Sequence, residues 1–236
     1  MTGTALATLI TSVNGGDPID DDLMSSLVEI GKTVLFGERD WMTLRKTDSS
    51  LSFSASSTWE TAYSLNGITD FSRFYGDCPI RIFDGVNCVE RYRQVPWDQR
   101  LEYKDVNNTF VYDEANNRIY FNGTGAMAGT IYINYIKNTT TISLSSSTDI
   151  KTAGTFPFPA EFHPILAFYA VGMSKGAIDY DDINKSMLPT NQAILVSIKN
   201  ALEKWDTKKQ LAEVENTDPY RAVGDGFMAN HINMQG

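Results

Sequence analysis

The 236-residue chain is short of the side chains on which most chemistry depends. It has two histidines and two cysteines, poor material for a zinc site or a catalytic triad, both of which need several converging groups. Positive charge is in the minority: the net charge is -9, which argues against binding the outside of duplex DNA, where Lys and Arg must replace counterions. An acidic surface repels phosphates and suits a wall that does not adhere to nucleic acid moving past it. No run approaches the roughly 18 apolar residues of a membrane-crossing helix, so no membrane partner is expected. No basic residue precedes the apolar stretch that starts at Ala5, so Met1 to Val13 reads as a short amphipathic helix and not as a secretory signal. The four Asn-x-Ser/Thr sequons, at Asn107, Asn122, Asn138 and Asn184, then read as chance products of a chain rich in Asn, Ser and Thr.

What is present is ordinary globular material. With 42% hydrophobic and 21% charged residues the chain can bury a proper core as one domain or two closely joined ones. After the first helix, Asn14-Gly15-Gly16-Asp17-Pro18 makes a break. A second helix is predicted from about Ile19 to Phe36, with Leu23, Leu27, Ile30 and Val34 as its apolar stripe. Asp20, Asp21 and Asp22 suit the positive end of its dipole.

From Arg45 to Ile142 the pattern changes to Ser, Thr, Tyr and Ile with turn residues every eight to twelve positions, a β signature. Asp84-Gly85 predicts a two-residue hairpin that sets Arg81 opposite Cys88 and Cys78 opposite Arg91. In that register Cys78 and Cys88 lie on opposite sheet faces, so no disulfide is expected and a reduced, intracellular setting fits. Glu114 to Asn117 marks a second turn, between Phe110–Tyr112 and Arg118–Phe121, and Thr130 to Ile136 is the clearest strand. Five to seven short strands would make a small sandwich or partly open barrel.

After Thr155 the chain returns to helix. Phe162, Ile165, Leu166, Tyr169, Ala170 and Met173 share one face of a helix over Pro159 to Asp179, and Ile194, Ile198, Ala201, Leu202 and Trp205 form the stripe of a last helix opened by Pro189-Thr190. From Asn216 to Gly236 the pattern fails, and isolated Tyr220, Phe227, Met228 and Ile232 cannot offset the entropy of ordering such a tail alone.

The expected fold class is therefore α+β: a helical bundle from both chain ends (1–40 and 156–213), an inserted antiparallel β-sandwich or partly open barrel (41–155), and a flexible C-terminal arm (214–236).

The candidate chemistry is thin. Gly31-Lys32-Thr33 resembles the back half of a phosphate-binding loop, but the glycine five positions earlier is absent and the segment lies within a helix, so Lys32 reads as a helical surface lysine. Asp179-Tyr180-Asp181-Asp182 lacks the spaced glycine and distal glutamate of a calcium loop and reads as a solvated helix-end cluster. Neither His163 nor His231 has partners for catalysis. Trp41, Trp59, Trp97 and Trp205 with eleven tyrosines could line a sugar-binding face, although aromatics at strand and helix spacing are mostly core. Trp205 is the best candidate for a core-edge or interface anchor. No catalytic residue, cofactor or metal ligand is expected.

Taken in order, these features resemble the head-to-tail adaptor (connector, or tail-tubular-like) proteins of tailed bacteriophages. The resemblance runs through the helix pair ending at Trp41-Met42-Thr43-Leu44-Arg45-Lys46, the Leu65 to Phe74 segment, and the Asn117 to Phe121 and Thr130 to Tyr135 strands. It ends with Phe156-Pro157-Phe158-Pro159-Ala160-Glu161-Phe162-His163-Pro164. It covers about residues 5 to 215 and is one of layout; the longer Thr58 to Asp70 loop and the Asn/Gly-rich tail depart from it. It implies a non-enzymatic virion protein at the head–tail junction, made in the host bacterial cytoplasm and forming a homo-oligomeric ring, typically a dodecamer. Such a ring binds the portal protein, extends the DNA channel and offers a docking surface for the next tail component. Carried onto this chain, the portal-gripping arm is Val214 to Gly236, with Tyr220, Arg221, Phe227 and Met228 as anchors. A carbohydrate-binding or capsid-decorating virion module is the alternative.

Overall fold

The computed structural model describes residues 1–54, 61–123 and 128–217. The chain divides into two compact units, one formed by residues up to Thr43 and from Thr141 onward, the other by Leu44–Thr140.

The first unit is helical. Thr2 caps α1 (Gly3–Val13) by accepting from the Ala5 N–H, and Asp20 caps α2 (Asp21–Gly37) by accepting from the Asp22 and Leu23 N–H groups, which satisfies donors that have no partner inside the helix. α3 (Ile165–Ser174) is apolar around its whole circumference: every residue from Ile165 to Gly172 is buried, the mark of a helix enclosed by its neighbours. α1, α2, α4 (Tyr180–Ser186) and α5 (Pro189–Thr217) all pack against it. Two glycines permit the close approaches. A Cβ on Gly31 of α2 would stand 2.9 Å from the Tyr169 Cβ, and one on Gly172 of α3 would stand 2.8 Å from two Ile183 side-chain atoms. An aromatic cluster fills the end of the unit, with Phe36 stacked on Phe156 at 5.8 Å and Trp41 edge-on to Phe158 at 5.4 Å.

The second unit is a single eight-stranded sheet in the order β1-β8-β4-β5-β6-β7-β2, with β3 also paired to β8. The strands are β1 (Arg45–Phe53), β2 (Ala62–Ser64), β3 (Phe71–Phe74), β4 (Ile80–Asp84), β5 (Asn87–Val95), β6 (Thr109–Asp113), β7 (Arg118–Phe121) and β8 (Gly129–Lys137). β8 is central, carrying β1 on one side and β4 followed by β3 on the other. The sheet curls: Phe53 of β1 meets Phe121 of β7 edge-on at 4.7 Å and stacks on Tyr63 of β2 at 5.5 Å, although these strands stand at opposite ends of the order. Within the curl lies one apolar core that includes Ile80, Ile82, Tyr92, Phe110, Ile131 and Ile133.

These observations overturn the expected fold class in its particulars. The β block is one curled sheet and not a sandwich. It is also mixed, because β5 and β6 run parallel, with Arg93 beside Thr109 and Val95 beside Val111. A parallel pair needs a crossover of about a dozen residues, supplied here by residues 96–108, which include a 3-10 turn at Trp97–Gln99. The helices form no bundle from the two chain ends; they surround α3, whose lack of a polar face removes the single-stripe geometry a bundle requires. α5 continues to Thr217, past the Val214 at which the arm was expected to begin. No helix among the described residues is long and apolar enough to cross a membrane.

Candidate interaction surfaces

In the helical unit the buried side of α5 carries charge. Leu195, Lys199, Leu202 and Asp206 are its inward positions, one residue away from the predicted stripe at several points, since Ile194 and Ala201 are exposed. The Lys199 ammonium meets the Glu38 carboxylate, donates to the Tyr169 hydroxyl at 3.3 Å and lies 4.1 Å over the Tyr180 ring. Tyr169 donates its hydroxyl to Glu38. Burial, reinforced by Glu38, raises the Tyr169 phenol far above its ordinary range, so it stays a neutral donor. Asp206, fully enclosed at 0% exposure, accepts from the Met42 N–H at 2.7 Å and from Gln210 at 2.8 Å, and it pairs with Arg39 at 3.2 Å. Arg39 also lies over Trp41, whose indole N–H donates to the Leu35 carbonyl at 2.8 Å. The segment that leaves α2 is thereby fastened to α5. These groups occupy one another, and the arrangement is structural.

Beside it, an open groove of about 440 Å³ is lined by Arg39, Asn200, Glu203, Lys204, Thr207 and Lys208. Trp205, the interface candidate, is half-buried. Its ring meets Phe158 at 6.2 Å and Phe162 at 5.8 Å, and Lys209 covers it at 4.5 Å. Tyr220, Arg221, Phe227 and Met228 lie outside the described residues. The exposed large apolar side chains of this unit include Ile178 (77% exposed), Leu188 (65%), Leu23 (52%) and Ile30 (50%). The last two were expected in the core; α2 instead buries Met24, Leu27, Val28, Gly31, Lys32 and Leu35.

Lys32 is not a surface lysine: it is buried and pairs with Glu29 at 2.7 Å. Asp179 caps α4 by accepting from the Asp182 N–H at 2.9 Å. His163 is buried, with Nε2 2.8 Å from the Phe158 carbonyl, and burial lowers its pKa; His231 lies outside the described residues. Cys78 and Cys88 are free thiols. No cluster of His, Cys, Asp or Glu among the described residues could hold a metal ion.

The β unit carries a feature that sequence reading missed. The hairpin forms, but Asp84 pairs with Asn87 and a bulge follows between Ile82 and Phe83, so Arg81 faces Arg91, not Cys88. Ile80, Ile82 and Tyr92 point into the core, which turns Arg81, Arg91 and Arg93 to the other face. There Arg81 also neighbours Tyr132 of β8, whose ring centroid is 4.4 Å from that of Phe83. Nearby, Asp70 receives Lys46 at 2.9 Å and the Tyr135 hydroxyl at 2.7 Å. Burial opposes ionisation of Asp70, but those two hydrogen bonds outweigh it and hold the carboxyl below its ordinary value. Burial, aided by the bond to Asp70, pushes Tyr135 up to about 12.

Compared with known proteins, the sequence matches no family model and no curated protein.

Proposed function

We propose that the chain is a non-enzymatic structural subunit of a virus particle: a head-to-tail adaptor. It associates with copies of itself into a ring, binds the portal, extends the DNA channel and presents a docking surface to the tail. The observation that carries this reading is the display of large apolar side chains on the helical unit, Ile178, Leu188, Leu23 and Ile30. On this reading those side chains are covered by neighbouring subunits, since burying apolar surface favours association. The second support is the two-unit build, in which separate surfaces serve different neighbours. A ring requires this, because each subunit must offer two unlike patches. The C-terminal residues 218–236, beyond α5, supply the portal-gripping arm, with Tyr220, Arg221, Phe227 and Met228 as anchors. Many such arms around a ring add up to a firm attachment.

The carbohydrate-binding alternative needs outward aromatics on the β unit. Phe53, Phe110, Phe121, Tyr92 and Tyr135 belong to its interior, which leaves Phe83 and Tyr132 as a small patch beside arginines on the outer face.

The test is mass spectrometry of purified virus particles, together with pull-down on a purified portal by the full chain and by residues 1–217, which keep α5 whole. The protein is expected in particles, and the shortened chain is expected to fold yet release the portal. Absence from particles, or undiminished portal binding by the shortened chain, overturns the assignment.

A further inference from the structure

Charge is divided unequally between the two units. Of the net -9, residues 44–140 contribute -1 and the remainder -8, and seven of the nine arginines fall in the β unit. Three of those seven gather on the outer face of β4 and β5. Arg81 and Arg91 are directly opposed across the ladder, and Arg93 follows two residues on, facing the same way. Like charges directly opposite on a sheet destabilise it, and such a pair is ordinarily quieted by an interleaved carboxylate. Here none of the three arginines forms an ion pair among the described residues, and the Arg81 Nε–H is buried without a hydrogen-bond partner. Phe83 and Tyr132 give the same face an aromatic patch. A planar guanidinium fork is matched by the two oxygens of a carboxylate. The face therefore calls for an anionic partner that also offers apolar contact.

The helical unit displays such a surface. Asp20, Asp21 and Asp22 are consecutive and exposed at the start of α2. Asp20 caps the helix through Oδ1, and the carboxylates of Asp21 and Asp22 are left outward. Leu23 and Ile30, seven residues apart and so on one helix face, are half-exposed apolar side chains about a quarter turn around the helix from Asp22.

We propose that the arginine face of one copy (Arg81, Arg91, Arg93) receives the acidic first turn of α2 (Asp21, Asp22) of a second copy, with Leu23 and Ile30 set against Phe83 and Tyr132. The contact joins two unlike patches, so it repeats from copy to copy and closes into a ring if the rotation allows. The inference rests on the adaptor reading for its setting and names the subunit–subunit contact that reading needs.

The test is a charge swap on the full chain, read by sedimentation velocity and native mass across a concentration series at low and high salt. Circular dichroism verifies that each variant folds. The unaltered chain is expected to gain mass with concentration, and less so at high salt. Arg81→Glu/Arg91→Glu/Arg93→Glu and, separately, Asp21→Lys/Asp22→Lys are each expected to raise the assembly midpoint on the order of a hundredfold, since facing like charges costs several kcal/mol. Mixing the two variants restores opposite charges at every contact, and assembly is expected to return only in the mixture. A single mass for the unaltered chain at all concentrations overturns the proposal. So does a variant that assembles normally, or a mixture that stays dispersed. If the arginine variant assembles normally but loses binding to a single-stranded oligonucleotide, the partner is nucleic acid and the proposal fails. None of these outcomes bears on whether the chain is present in particles, which decides the adaptor reading separately.

Discussion

Asp206 shows how much a single side chain can hold. It sits at a buried position of α5 and accepts hydrogen bonds from a backbone N–H that lies 164 residues earlier in the chain, while Arg39 neutralises it. Asp206→Ala leaves the Arg39 guanidinium and the Met42 N–H without their acceptor, and breaking such a pair costs about 3–5 kcal/mol. Asp206→Asn keeps an acceptor for Met42 and is expected to lose less. The midpoints of urea unfolding should rank native, Asn, Ala; an alanine variant as stable as the native chain would refute the role. The Asp70 cluster makes a pH prediction for the β unit. The lowered carboxyl of Asp70 contributes stability that is complete above its ordinary value of 3.8 and is lost as pH falls through the folded value. Lys46 is raised above 10.5, chiefly by its bond to Asp70, and Tyr135 is raised from 10.0 to about 12, chiefly by burial. Their contributions are complete below the ordinary values and are lost as pH rises through the folded ones. Melting temperature plotted against pH should thus fall at both extremes, and Asp70→Asn should flatten both limbs. An unaltered acid limb in that variant would count against the cluster.

At the scale of elements, legibility followed locality. The places of the hairpins were readable because Asp84-Gly85 and Glu114 to Asn117 carry turn chemistry, and Gly85 and Asn117 adopt the left-handed backbone such turns use. The first turn, however, is one residue later than expected and its register differs. The starts of α2 and α5 were readable to within two residues, although Asp20 caps α2 from outside its first turn and Thr190 lies within α5. What failed needed knowledge of a distant neighbour. The parallel β5–β6 pair depends on where residues 96–108 deliver the chain, which no local pattern encodes. The inward side of α5 was misplaced because Lys199 and Asp206 look like solvent residues until Glu38, Tyr169, Arg39 and Met42 are brought to them. The inward side of α2 was misplaced because its contact with α3 is set by a glycine, invisible to a count of apolar residues. Gly31→Ala tests that contact. Replacing glycine inside a helix gains at most about 1 kcal/mol in propensity. The new Cβ would stand 2.9 Å from the Tyr169 Cβ, and overpacking of this kind costs about 1–3 kcal/mol. Net destabilisation of the helical unit in urea is expected. A stabilised Ala variant would show that α2 and α3 can separate freely at this point.

At the scale of the whole molecule, the two units should be separable. The apolar cluster of the β unit, from Leu51 to Tyr135, is drawn from residues within 44–140, so these residues contain their own core. Their ends are also close together: Arg45 at the start of β1 pairs with Ile136 near the end of β8, and antiparallel partners stand about 5 Å apart. Excised residues 44–140 are therefore expected to fold, giving one cooperative thermal transition and dispersed amide resonances in solution. The complementary chain, with Thr43 joined to Thr141 by a few glycines, is expected to keep the helix content of its half, because loop closure over so short a span adds little entropy. Success in both would also sharpen the association experiments. The isolated β unit would carry the arginine face without the acidic turn and should cap growing assemblies instead of extending them, lowering the mass of the unaltered chain in proportion to the amount added. A β unit that unfolds on excision would mean that its stability is borrowed from the helical unit, and the charge-swap variants would then have to be judged against whole-chain unfolding.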